Sequence, residues 1–326
     1  MRALTILPAA ALLAPARPSV AQEQRPAIPE APNFRIAVGS WSFHMPIWRG
    51  ELPPGDLPAL IRKEYDVGAL EWSSELLRAL GENHRPQYQA PRDAALGRAL
   101  RARCDAAGVE CTSLLVGGPA VLGDSSSVKR KEAVSHYLSW VETAAALGCD
   151  AIRINVYSNL PPGPDRDRRA FDLCAEGVRR VLEGTRDSGV NVNLENHGGI
   201  SARADWLAKL LREVDDKRLR AIVDLNNFRW DLDLPYAPDR DSAPRWYDRK
   251  RGVGELAPWA HSVSAKAFAF DHTGWESSLD YPGLMKILLD AGFRGDVVVE
   301  YEGAEDPIEG VRKTVAMLRR LRGALS

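Results

Sequence analysis

The sequence predicts a single-domain (β/α)8 TIM barrel of the α/β class, and three observations predict it. Short β-rich runs alternate with longer helical stretches along nearly the whole chain. Eight such pairs can be counted, the number a closed parallel barrel requires. The length of 326 residues exceeds the roughly 250 of such a barrel by enough for loops and a leader.

The expected strands are Phe34–Gly39, Gly68–Trp72, Glu110–Val116, Ala151–Val156, Val190–Glu195, Ala221–Asp224, Ser262–Ala267 and Asp296–Tyr301. Each is short and apolar, as strands covered on both faces should be. The expected helices are Leu57–Tyr65, Ala94–Ala107, Lys129–Leu147, Arg168–Ser188, Ala202–Val214, Gly254–Ala260, Tyr281–Ala291 and Ile308–Leu321. Gly108, Gly148, Gly189 and Gly292 stand where helix ends need a positive φ. The long insertion Phe228–Val253, rich in Trp, Tyr, Pro, Asp and Arg, is expected to close over a ligand, with Tyr247-Asp248-Arg249 offering hydrogen bonds.

The ends of the chain and its charge narrow the class further. Residues 1–21 combine Arg2, a short apolar run and Ser19-Val20-Ala21, the pattern of a cleaved secretory signal. Residues 22–33 follow as a flexible leader, and 34–326 form the barrel. The expectation is an exported chain, periplasmic in a Gram-negative cell, with no membrane span after cleavage. With 43 basic against 44 acidic residues there is no electrostatic footprint for nucleic acid. The runs Arg166–Arg169 and Arg319–Arg322 read as solvated helix faces. A homo-oligomer is compatible with this architecture. Cys104, Cys111, Cys149 and Cys174 make no metal-type cluster. They read as buried thiols, with a Cys104–Cys111 bridge as the alternative.

In a barrel of this kind the loops after the strands carry the chemistry. Glu195, Asp224 and Glu300 end three strands and could face one centre. Carboxylates crowded together resist ionisation, and a divalent cation relieves the repulsion. Lys266, on an otherwise apolar strand, could pair with them or stabilise a developing oxyanion. His197, in a glycine-flanked loop beside Glu195, is a candidate for substrate contact or proton transfer. His44, Glu71, Arg153 and Asn155 complete the polar strand ends as candidate substrate-binding groups; Glu71 could also orient the ligands. Trp41, Trp72, Trp230 and Trp246 suit stacking on sugar rings or packing.

The chain resembles the sugar phosphate isomerase/epimerase family of xylose isomerase-like TIM barrels, in an exported branch. The matching segments are 148–155 (GCDAIRIN), 194–199 (LENHGG), 223–228 (VDLNNF), 247–249 (YDR), 263–266 (VSAK) and 299–303 (VEYEG). The resemblance implies metal ligands at Glu195, Asp224, Ser264 and Glu300. Ser264 departs from the pattern, because many members carry His there. Asn227 stands where many epimerases have a substrate-binding His. The resemblance also implies that Glu195 and Glu300 act as acid and base, with His197 and Lys266 near the reacting atoms. The expected cofactor is a divalent ion (Mn, Mg, Co or Zn), and the expected partner a small carbohydrate. The implied activity is metal-dependent isomerisation or epimerisation of a sugar or keto-sugar through an enediolate. Alternatives are a 3-keto-glycoside lyase using the same metal site and a carbohydrate-binding protein with a degenerate site.

Overall fold

The computed structural model describes residues 33–77, 93–161, 163–231 and 244–325. The expected signal segment and leader fall outside the described residues, apart from Asn33, as does the middle of the expected lid, 232–243. The strands are β1 (Arg35–Gly39), β2 (Ala69–Ser73), β3 (Glu110–Leu115), β4 (Ala151–Ile154), β5 (Asn191–Glu195), β6 (Leu219–Asp224), β7 (Ala260–Ala267) and β8 (Asp296–Tyr301). Each pairs in parallel with the next, and β8 returns to β1, so the barrel closes. The described residues belong to one compact unit, and no helix among them is long and apolar enough to cross a membrane.

The helices that cover this barrel are α1 (His44–Trp48), α2 (Leu57–Tyr65), α3 (Ala94–Ala107), α4 (Ser127–Leu138), α5 (Val141–Leu147), α6 (Arg166–Gly184), α7 (Ala204–Val214), α8 (Arg249–Leu256), α9 (Tyr281–Asp290) and α10 (Pro307–Ala324). The single helix expected over Lys129–Leu147 is two. Ser139 ends α4 with its hydroxyl on the His136 carbonyl at 2.6 Å, and Trp140 turns wholly into the core before α5 begins. The helix expected at Gly254–Ala260 starts earlier, because Asp248 caps it by accepting from the Arg251 N–H at 2.7 Å. Ala260 belongs to β7 instead.

Gly108 ends α3 with a φ of 63°, as a left-handed cap requires. Gly189 does not cap a helix, since α6 already stops at Gly184. Gly97 serves a different need. A methyl group there would stand 2.5 Å from the Thr143 carbonyl oxygen, so α3 and α5 could not approach as they do. The four cysteines are buried free thiols, and Cys111 Sγ donates to Cys104 Sγ at 3.4 Å.

Strand alternation sorts the side chains. Outward residues such as Val38, Leu70, Ile152, Val223, Val263 and Val299 join one large apolar cluster with the helices. Trp72 belongs there too, donating to Cys111 Sγ at 3.4 Å, so it is a packing residue and no sugar platform. The inward positions are mostly polar, with a few apolar residues, of which Ala37, Ala69 and Val298 form a separate cluster of their own.

Candidate active site

Four strands deliver the central groups. Glu195 ends β5, Asp224 ends β6, Lys266 comes from β7 and Glu300 from β8. All four sit at inward positions, and all are buried. Glu195, Asp224 and Glu300 each offer a carboxylate oxygen, and these lie within 4.8 Å of one another. In the β7–β8 register Lys266 stands beside Glu300. Its ammonium lies 3.1 Å from Glu300, 3.4 Å from Asp224 and 3.3 Å from Glu302. Ser264, two residues earlier on the same face, donates to Glu300 Oε2 at 2.6 Å. The serine hydroxyl therefore holds one carboxylate of the group directly.

Each carboxylate is also held from outside the triad. Arg153 on β4 brings Nε within 3.0 Å of Glu195 Oε2. Asn227 donates its amide to Glu195 Oε1 at 3.3 Å. Asp224 Oδ1 accepts the backbone N–H groups of Asn226 and Asn227 at 2.7 and 3.0 Å. Asn196 grips the Asp224 backbone on both sides, accepting its N–H at 2.9 Å and donating to its carbonyl at 2.8 Å.

Burial dominates the electrostatics. It raises Glu195 above the usual carboxylate range despite Arg153, and raises Asp224 despite Lys266. It also works to raise Glu300, but Lys266 and the Ser264 hydroxyl outweigh it and hold Glu300 below that range. Burial opposes the charge on Lys266, and the surrounding Asp224, Glu300, Glu302 and Glu195 more than restore it. The site thus separates two glutamates into a readily protonated one and a firmly ionised one.

Asp224 Oδ2 is buried and makes no hydrogen bond, with the Lys266 ammonium 3.4 Å away as its counter-charge. Three buried carboxylates around one ammonium leave negative charge in excess, which a divalent cation would balance. Glu195, Asp224 and Glu300 fit such an ion, with the Ser264 hydroxyl at their edge. The donor set is oxygen only.

The remaining expected residues are placed as follows. Glu71 on β2 is buried on the same inner face and feels the charges of Glu300 and Arg153. It accepts from Ser113 at 2.8 Å and is pushed up to about 7 by burial. Asn155 follows β4; Tyr137 binds its backbone, and its side-chain Oδ1 is buried without a partner. His197 is half-buried, with Nδ1 2.6 Å from the Tyr157 hydroxyl. Burial, then Arg153 and Lys266, push it down to about 3, so it is a neutral hydrogen-bonding group. His44 lies away from the triad, stacked on Trp41 with centroids 4.8 Å apart and Nδ1 2.7 Å from the Trp41 carbonyl oxygen.

Of the expected lid residues, Tyr247 donates to Glu255 and Asp248 caps α8, so both serve structure. Arg249 turns toward the site, donating to Asn226 Oδ1 at 2.9 Å. Trp230 and Trp246 flank the loop ends, and Arg229 pairs with Trp246 in an antiparallel bridge.

Sequence reasoning gave no role to Glu302, Tyr157, Ser113, Asn193 or Asn196. Glu302 accepts from Trp41 Nε1 at 2.8 Å and from Lys266. Asn193 lies two residues below Glu195 on the same strand face, fully buried, with neither amide atom hydrogen-bonded. Strand parity alone would have flagged Asn193, and the position after β4 would have flagged Tyr157.

A family model described as "Xylose isomerase-like TIM barrel" matches residues 63–321. Among solved structures, 3-keto-D-glucoside 4-epimerase from E. coli aligns with a TM-score of 0.61 at 17% identity, over 88% of this chain and 99% of that one. D-Psicose 3-epimerase from Clostridium cellulolyticum H10 aligns with a TM-score of 0.63 at 15% identity, over 90% of this chain and all (100%) of that one. These likenesses establish the shared barrel. A curated relative, the 3'-dehydrocarminate deglycosidase alpha subunit of a Microbacterium species, is 30% identical over 84 residues. That match spans 24% of each chain.

Proposed function

The chain belongs to the xylose isomerase-like TIM barrels, and from that premise we propose that it is a metal-dependent isomerase or epimerase of a keto-sugar. The observation that carries this reading is the buried carboxylate triad with the Lys266 ammonium among it. Three buried carboxylates converge there within 4.8 Å of one another, and one ammonium does not balance their charge.

Glu195, Asp224 and Glu300 would hold the ion; an oxygen-only set favours Mg or Mn over Zn or Co. When bound, the ion supplies Lewis-acid polarisation of a substrate carbonyl. Glu300, held ionised by Lys266 and Ser264, is placed to accept the proton on the carbon next to that carbonyl. Glu195, on the neighbouring wall of the site, would return one. Lys266 stabilises negative charge developing on the substrate oxygens. His197, neutral and steadied by Tyr157, offers a hydrogen bond to a hydroxyl group. The expected amino-terminal signal adds the reading that this chemistry takes place outside the cytoplasm, where free oligosaccharides are the more accessible substrates.

A second reading rests on the local similarity to the deglycosidase subunit. The same removal of a proton beside a ketone at C3 would expel the glycosidic oxygen at C1 from a 3-keto-glycoside. The C2–H electrons form the C1–C2 double bond, and the C1–O bond breaks. The test is proton NMR of keto-sugars and 3-keto-glycosides in D₂O, with and without chelator. Metal-dependent deuterium uptake beside the carbonyl is expected. A new isomer supports epimerisation, and a released aglycone supports the lyase. Tight binding without exchange would overturn both.

A further inference from the structure

A cavity of about 520 Å³ opens between the segment that follows β1 and the segment that follows β8, and of its lining residues Glu302 is the one that reaches Lys266 in the reacting centre. These strands are neighbours, so both segments lie on the same face of the barrel as the triad. One wall carries His44 and Met45; the facing wall carries Glu302, Ala304 and Glu305. The volume lies within the range of roughly 300–1,000 Å³ typical of small-ligand sites.

Glu302 belongs to both spaces. Its Oε1 accepts from Lys266 Nζ at 3.3 Å on the reacting side, and the same residue lines the cavity. Trp41 fixes that carboxylate with its indole N–H at 2.8 Å, and His44 stacks on Trp41. The wall is therefore made rigid by a chain of contacts running from the cavity to Lys266. Its chemistry is mixed. Met45 is an exposed apolar surface, His44 uses Nδ1 on the backbone, and Glu302 and Glu305, each holding a lysine through one carboxylate oxygen, keep the other oxygen for a hydroxyl group. Apolar faces alternating with hydroxyl acceptors match a pyranose ring, which has apolar C–H faces and a polar edge.

We propose that this cavity is a second sugar-ring subsite, so that the substrate is a glycoside spanning two rings and Glu302 marks the boundary between them. The inference rests on the reading that the keto-bearing ring reacts at the triad. It assigns His44 to the second ring, away from the reacting atoms.

The test compares 3-ketocellobiose with methyl 3-keto-β-D-glucoside, which differ in the second ring. Binding is measured by calorimetry and reaction by deuterium uptake, on the full chain. Two variants fill the cavity from opposite walls at exposed positions, Met45→Trp and Ala304→Trp. The parent is expected to bind the two-ring compound at least about tenfold more tightly than the methyl glycoside. Both variants are expected to abolish that preference while binding the methyl glycoside as the parent does. Equal affinity for both compounds in the parent overturns the subsite. So does a preference that survives both fillings, or an equal loss for both compounds. If the preference and its loss on filling are seen but no exchange occurs, the subsite stands and the reaction assigned to the triad falls.

Discussion

The two faces of the barrel wall follow opposite rules. Along β8, Val297, Val299 and Tyr301 point outward into the apolar layer under the helices, while Val298 and Glu300 point inward. The outer layer is one continuous apolar cluster drawn from every strand and most helices. The inner face gathers Glu71, Arg153, Asn193, Glu195, Asp224, Ser264, Lys266 and Glu300 beside a few apolar residues, among them Ile222 and the small cluster of Ala37, Ala69 and Val298. Barrels of this kind are ordinarily filled inside by branched apolar side chains. Here the outer layer carries the folding free energy, and the inner face is free to hold charge. Stability and chemistry should therefore separate by strand parity.

The largest effects should come from the inner face. Glu195→Gln, Asp224→Asn and Glu300→Gln should each lower turnover by about 100- to 10,000-fold, the scale of a lost acid or base. Each should also lower metal content, read by elemental analysis, while circular dichroism shows a folded chain. Unchanged stoichiometry in all three would remove the triad as the metal site. Lys266→Met should slow deuterium uptake by about 100- to 1,000-fold and weaken binding less. It also leaves Asp224, Glu300 and Glu302 without their shared cation, so it should be the inner-face substitution that lowers the unfolding midpoint most.

The outer layer should respond the other way. Gly97→Val forces α3 from α5 and should cost about 1–3 kcal/mol in chemical denaturation. Its turnover below the unfolding transition should match the parent; a large loss of activity in the folded variant would break the division between faces. Tyr157→Phe sits on the boundary. It releases His197 from its 2.6 Å contact and should lower kcat about tenfold with little change in stability. The smallest effect concerns Glu71, raised by burial from its ordinary 4.5 to about 7. The folded chain binds this proton more tightly than the unfolded one, so its contribution to stability is full below about 4.5 and is lost as the pH rises through about 7. Glu71→Gln should flatten that part of the decline in unfolding midpoint; an unaltered slope would exclude Glu71 as a source.

The outer face was the easier half to read from sequence. Apolar strands and intervening helices announce themselves by period, and all eight strands fall where the pattern puts them, within a few residues. The break at Ser139-Trp140 was not legible, because the segment keeps helical propensity throughout and only the demand to bury Trp140 divides it. Of the site, Glu195, Asp224, Lys266 and Glu300 were legible as charged residues in apolar strands. The placement of His44 was not. Stacking on Trp41 depends on the short helical turns after β1, which carry no charge pattern to signal them. Glu302 was hidden for a related reason: a rim glutamate looks like any solvated one until Lys266 and Trp41 are seen to converge on it.

The Asn196 side chain has a mechanical consequence. Its amide meets the Asp224 backbone as another peptide group would, one rung past the last backbone pairing of β5 with β6. Asn196 is covalently joined to Glu195, so the backbones carrying the two carboxylates are joined through a stiff caliper made of one peptide bond and one amide. Breathing of the barrel rim can carry that caliper up or down, but it opens the jaws only by breaking two hydrogen bonds at once. The ends of β5 and β6 are therefore tied together, so the backbones from which Glu195 and Asp224 project should shift as one.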